Sequence, residues 1–183
     1  IYDDKKHRVT FRGFVGTFLR KEEDQLTRLM AWRLNWGSED LLYDHVFVDR
    51  GQQELGAGRQ IAKDQGGFKT PTAQGGSDSW IAALNMELDM PIGLPLSLYG
   101  NWGAAPYTEV TATGNEQRWD SYFEAGFGFR IVRDIAEVWI PLVVSQNIQD
   151  EHDFNDVDFG DRIRIVLALE KLDPTRALRN IMR

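Results

Sequence analysis

The stretch "QDEHDFNDVDFGD" gathers Asp150, Asp153, Asn155, Asp156 and Asp158, with Glu151 and His152 among them. Hard oxygen donors at alternating positions are what Ca²⁺ takes as ligands, so this is a candidate calcium loop. The spacing departs from an EF-hand, which wants Gly at the sixth position and Glu at the twelfth, and a hydrated acidic loop is the competing reading. Asp44 and His45, with Asp49 nearby, have the residue types of a general base and its orienting carboxylate. Neighbours on an extended strand point to opposite faces, which argues against Asp44 partnering His45 directly. The runs "GAGRQ" and "GGFKTP" carry phosphate-loop residue types but follow no strand-to-helix transition, so they read as flexible loop. The chain has no cysteine, which excludes disulfides, thiolate zinc sites and cysteine nucleophiles. No catalytic residue is assigned.

Strands must position these groups. Residues 80–102, "WIAALNMELDMPIGLPLSLYGNW", alternate apolar and polar side chains on both sides of a tight turn. Trp80, Ala82, Leu84, Met86, Leu88 and Met90 share one face, opposite Asn85, Glu87 and Asp89. In the return limb Leu94, Leu96, Leu98 and Trp102 oppose Ser97, Tyr99 and Asn101. The same period predicts about seven strands in all. These are Arg8–Arg20, Leu26–Trp36, the two limbs above, Trp119–Val132, Ala136–Ile148 and Phe159–Glu170, with a short strand-like run at Tyr43–Val48. The connections alternate between tight turns ("KEEDQ", "PIG", "RD") and long polar loops at 38–79, 105–118 and 149–158.

Tight turns at one end and long loops at the other are the layout of outer-membrane barrels. Trp36, Trp80, Trp102 and Trp119 all fall at the long-loop end with the apolar parity, which suits half of an interfacial aromatic girdle. Trp32 shares that parity lower down, whereas Trp139 falls on the polar parity and escapes the rule. The polar parity carries Arg12, Arg33, Asn85, Glu87, Asp89, Glu124, Arg130, Glu137, Arg162 and Arg164. A mid-strand arginine turned to lipid costs roughly 2–4 kcal/mol, so these groups are expected to line a lumen. The loop 38–79 is expected on the external side, and charge complementarity would also let it fold back into the lumen. Arg59, Lys63 and Lys69 would then meet Glu87, Asp89 and Glu124.

A formal net charge of −7 and a pI near 5.0 exclude nucleic acid as a partner. No apolar run approaches the roughly 18 residues of a spanning helix, which leaves strands as the way to cross a bilayer. The expected fold is therefore all-β: an antiparallel, up-and-down transmembrane β-barrel of about seven or eight strands. The odd count, and a first strand already running toward the periplasm, suggest part of a larger barrel. The barrel segment would occupy residues 1–172. Asp173 and Pro174 would open a short basic helix on the periplasmic side over 173–183.

On these parity patterns the chain resembles the C-terminal part of a Gram-negative outer-membrane β-barrel protein. The runs "FGDRIRIVLALEKLDPTRALRNI" and "DQGGFK" are similar to tails of large outer-membrane proteins of Bacteroidota, some with a metallopeptidase-like region upstream. The HExxH zinc motif of such a peptidase is absent, so the resemblance brings no catalytic residue. The ending also departs from the common barrel pattern, because "KLDPTRALRNIMR" stands where many such proteins end on an aromatic residue. The resemblance implies an outer-membrane location, contact with membrane lipid and with other segments or subunits of an envelope complex, and an anchoring, translocation or assembly role. Two alternatives belong to other classes: an outer-membrane barrel hydrolase with catalytic residues on external loops, and a soluble β-barrel or sandwich binding a small apolar ligand.

Overall fold

A computed structural model describes residues 8–18, 31–37, 59–92, 94–111, 114–132 and 135–168. In chain order the strands are β1 (Val9–Thr17), β2 (Trp36–Gly37), β3 (Ile61–Ala62), β4 (Trp80–Asp89), β5 (Leu96–Thr111), β6 (Gly114–Val132), β7 (Ala136–Val144) and β8 (Arg164–Leu167). A helix, α1 (Gln146–Phe154), and a 3-10 turn at Phe159–Arg162 lie between β7 and β8. Six of the strands form one antiparallel sheet in the order β1-β4-β5-β6-β7-β8, and β2 pairs with β3 separately. The all-β, antiparallel architecture expected from the alternation is therefore present. The sheet is open, with no ladder joining β1 to β8 among the described residues.

The register lines side chains into rows that cross the strands. Phe11, Met86, Gly100, Ala125 and Val143 make one outward row, and Arg12, Asn85, Asn101, Glu124 and Val144 make the inward row beside it. The fold thus inherits its two faces directly from the period of the sequence.

Pairing partners differ from the expectation. β1 pairs along its whole length with β4, and not with the run Leu26–Trp36. Residues 26–30 lie outside the described residues, while residues 31–35 pack on the inner face of the sheet. There Trp32 meets Phe14 edge-on at 5.6 Å and Phe18 at 5.3 Å, so Trp32 points inward and not to the apolar exterior. Alternation fixes the face a residue takes, but not the strand it joins. The stretch 105–118 is no loop either. Beyond their last pairs with β4 (Ala104 with Ala82) and β7 (Glu124 with Val144), β5 and β6 continue together as a two-stranded arm. Its polar composition hid the strands, because alternation is legible only where an apolar stripe marks one face. The run Tyr43–Val48, the expected helix over 173–183 and residues 169–172 lie outside the described residues.

The acidic stretch is mostly helix. Ile148 and His152, one turn apart, form its buried face, and the side chains of Gln146 and Gln149 donate to Asp150 at 2.7 Å and Asp153 at 2.6 Å. It ends where Asp156 takes a left-handed conformation (φ 51°) and the Val157 N–H returns to the His152 carbonyl at 2.9 Å. The strand expected to continue to Ile148 therefore stops at Val144, and the last strand shortens to four residues behind the 3-10 turn.

The core lies between the inner face and the segments laid across it. Leu34, Phe68, Ile81, Ala83, Ala105, Tyr122 and Ile148 form one buried cluster, and Ile61, Tyr99, Trp139 and Val166 a second. Packing is tight beside Trp139, where a Cβ on Gly128 would lie 2.4 Å from its ring and 2.8 Å from Ser97 Oγ. Because Trp139 is fully buried and has nowhere to retreat, Gly128→Ala is expected to lower stability by roughly 1–3 kcal/mol. A shift in the denaturant midpoint followed by tryptophan fluorescence would measure it.

Candidate functional site

The outward face carries large apolar side chains that no described residue covers. Phe11 and Val15 on β1, Leu84 and Met86 on β4, and Leu98 and Trp102 on β5 continue into Phe123, Phe129 and Ile131 on β6 and Leu142 and Val143 on β7. All are between 38% and 78% exposed. The β7 end is widened by a bulge. Ala125 pairs with Val143 and Gly126 with Pro141, which leaves Leu142 as an extra residue turned outward beside Val143. Trp102 and Trp119 are exposed on this face and Trp80 is half-buried. Trp80 stands two residues before Ala82, where the β4–β5 ladder ends at Ala104, and Trp119 pairs with Pro106, two residues beyond Ala104. The Trp36 side chain lies outside the described residues.

The inward face of the same strands holds charge in the dry. Asp89, Glu124, Arg130 and Glu137 are at most 6% exposed. Arg130 donates through Nη1 to Asp89 and through Nη2 to Glu87, and its Nε lies 3.8 Å from Glu137. Lys63 reaches Glu137 at 2.7 Å. Trp139, which parity left unexplained, is wholly buried among them. Its Nε1 donates to Glu137 at 3.1 Å, its ring meets Tyr99 edge-on at 5.1 Å, and the Arg130 guanidinium lies 5.5 Å from its centroid. Such charges are tolerable away from water because each has an opposite partner or donors to spare.

Residues 59–79, expected on the external side, instead cross this wall as a strap. Asn85 Nδ2 donates to the Gly66 carbonyl at 2.8 Å and Asn101 Nδ2 to the Gly67 carbonyl at 3.2 Å. Glu124 accepts the N–H groups of Lys69 and Thr70 at 2.6 and 2.7 Å, and Asn101 Nδ2 at 2.6 Å. On the strap's other side the N–H groups of Gly66 and Phe68 donate to the carbonyls of Arg33 and Leu34 at 3.0 and 2.8 Å, and Asn35 Nδ2 donates to the Phe68 carbonyl at 3.0 Å. α1 clamps the far end. The His152 Nε2–H donates to the Pro71 carbonyl at 2.8 Å, and Glu151 accepts Thr72 Oγ1 at 2.5 Å and the Ala73 N–H at 2.8 Å.

Among the strap's buried side chains, Phe68 joins the first core cluster, Ile61 the second, and Lys69 the wall. Lys69 Nζ donates to the Gly67 carbonyl at 2.7 Å, stands 3.6 Å from Glu87, and lies 4.8 Å from the Trp139 ring centroid and 5.8 Å from that of Tyr99. Burial pulls its pKa below the usual lysine range, while Glu87 pulls it up. Gly67 adopts φ +71°, and a Cβ there would lie 2.9 Å from both Arg12 Nη1 and Asn85 Oδ1.

Of the residues expected to line a lumen, Arg12, Asn85, Glu87, Asp89, Glu124, Arg130 and Glu137 share this inner wall. Arg12 donates to Asn85 Oδ1 at 2.8 Å and stands 3.8 Å from Asp64. Arg164 has the inward parity, opposite Trp139, and donates to the carbonyls of Asp161 and Ile163. Arg33 and Arg162 are not on the sheet: the first sits in the segment beside the strap and the second in the 3-10 turn. Lys63 and Lys69 meet the acidic wall as charge complementarity suggested, but Arg59 pairs with Asp161 at 2.8 Å instead. The acids of the proposed calcium loop are spread along α1 and past its end. Among the described residues no group of three or more His, Asp or Glu stands where it could hold a metal ion. Asp44, His45 and Asp49 lie outside the described residues. Sequence reasoning missed Asn101, Trp139, Glu151 and His152 as strap-holding groups. A tryptophan on a charged face and a histidine one turn from Ile148 were the available signals.

No protein family, curated protein or solved structure matches this chain.

Proposed function

We propose that the sheet is a lipid-facing segment of an outer-membrane β-barrel, which anchors, or forms the translocation or assembly part of, a larger envelope protein or complex. One observation carries this reading: the sheet is inside out for water. Asp89, Glu124, Arg130 and Glu137 on its inner face are buried, and large apolar side chains on its outer face are exposed over five neighbouring strands. A water-soluble monomer rarely leaves so broad an apolar surface uncovered, whereas hydrocarbon is a solvent that favours it. The dimensions agree. Trp119 and Phe129 on β6 are ten residues apart, about 33 Å of strand and, at the usual barrel tilt near 45°, roughly 24 Å of height. That is close to the apolar band of an outer membrane, with Trp80, Trp102 and Trp119 toward one margin. The inner wall supports the same reading, since a lumen is where a barrel keeps its charges, and the strap makes this lumen a filled one.

A soluble carrier of an apolar ligand would want an apolar interior, but this interior is charged and occupied by the chain itself. The test is partition. Expressed with its native surroundings, the protein is expected to stay in the carbonate-resistant membrane fraction, to need detergent for extraction, and to migrate differently on a gel before and after boiling. A monodisperse protein in plain buffer would overturn the proposal.

A further inference from the structure

The strap is held mainly by its main chain, and one row of the sheet does most of the holding. Asn85, Asn101 and Glu124 are successive members of the same inward row on β4, β5 and β6. They engage Gly66, Gly67 and then Lys69 with Thr70. The strap turns at Gln65 (φ 45°) and Gly67 (φ 71°), where the Gly67 N–H donates to the Asp64 carbonyl at 2.8 Å, and from there it meets one polar side chain on each of β4, β5 and β6. Phe68, Lys69 and Thr70 are all buried, and the first two have distinctive surroundings. One is an apolar pocket filled by Phe68, and the other a cage of Trp139, Tyr99 and Glu87 around the Lys69 ammonium. The close approach at Gly67 admits only a small residue two positions before the lysine.

From this we infer that the inner wall is a peptide track with a resident occupant, and that it also takes a segment of a second polypeptide bearing two glycines, an aromatic residue and then a lysine. Every contact that holds Gly66–Thr70 on the row is one an untethered segment reproduces, and none depends on the covalent connection to β4. Keeping Lys69 there also works against its charge, since burial disfavours the ammonium. The strap is then a cis competitor, and the tether gives it an effective concentration on the order of millimolar. The inference goes beyond the anchoring role and stands apart from the membrane reading, because it concerns the wall and not the outer face.

The test uses the full chain in detergent and a fluorescent synthetic peptide with the sequence of residues 65–73, "QGGFKTPTA". With both pockets vacated by Phe68→Ala and Lys69→Ala, saturable binding is expected, at least about tenfold tighter than to the unaltered protein, whose own strap competes. Adding Glu124→Gln to that variant, or placing valine at the peptide's second glycine, is expected to weaken binding by about tenfold or more. No saturable binding to a vacated variant that keeps a cooperative urea transition by tryptophan fluorescence overturns the inference. Should that variant not fold, the unaltered protein decides. Millimolar peptide is expected to speed tryptic cleavage after Lys69 by displacing the strap, and cleavage unchanged by the peptide overturns the inference.

Discussion

Arg130→Ala lowers stability by roughly 3–5 kcal/mol, the largest loss expected of any single substitution on the inner wall. The reason is what it leaves behind. Asp89 and Glu87 each accept from the guanidinium, and Glu137 stands 3.8 Å from Nε. Removing the cation takes a partner from three carboxylates at once in a site that excludes water, and Lys69 beside Glu87 and Lys63 on Glu137 offset the loss only in part. Arg130→Lys is expected to recover only part of the loss, since a single ammonium cannot address Asp89 and Glu87 from the two ends of a planar fork while lying beside Trp139. Combining Arg130→Met with Glu87→Gln and Asp89→Asn should restore most of it, because neutral groups need no counter-charge. Urea unfolding of the detergent-solubilised protein, followed by tryptophan fluorescence, checks each step. If Arg130→Ala unfolds at the same midpoint as the unaltered protein, the buried cluster is not holding the wall together.

Met86→Arg separates lipid from water as the solvent of the outer face. Met86 lies in the row that runs through Phe11, Gly100, Ala125 and Val143, well below the level of Trp80 and Trp119. In hydrocarbon an arginine there costs roughly 2–4 kcal/mol, falling to about 0–1 kcal/mol near an interface. Facing water, the same change at this exposed position would stay within about 0.5 kcal/mol. Trp119→Arg, on the outward parity of β6 and beyond its last β7 pair, provides the shallow comparison and is expected to cost about 0–1 kcal/mol. A gradient between the two sites, measured by reversible unfolding from lipid vesicles, supports the bilayer. Equal and small effects at both would remove it.

The faces of this sheet were legible because period two is local. Asn85, Glu87 and Asp89 must share a side whatever else the chain does, and so must Leu84 and Met86. The encounter of Lys63 and Lys69 with the acidic wall was legible too, as a matter of opposite charge. Pairing was not, since the alternation of Leu26–Trp36 says nothing about which ladder those residues join, and the only described part of that run lies inside the sheet. α1 was hidden by its acids, which as free residues read as a loop and as partners of Gln146 and Gln149 support a helix. Asn101 was placed on the correct face, yet its role comes from alignment with Asn85 and Glu124 across three strands. No single strand carries that alignment.

The dependence of the strap on one row also fixes an order of events. Gly66–Thr70 precede β4, β5 and β6 in the chain, yet the groups that receive them exist as a set only once those three strands are in register. Glu124 lies 55 residues beyond Lys69. Long-range contacts of this kind form late, because the intervening chain must first lose its freedom. The strap is therefore expected to settle last, into a space that β4, β5 and β6 enclose only once they are in register.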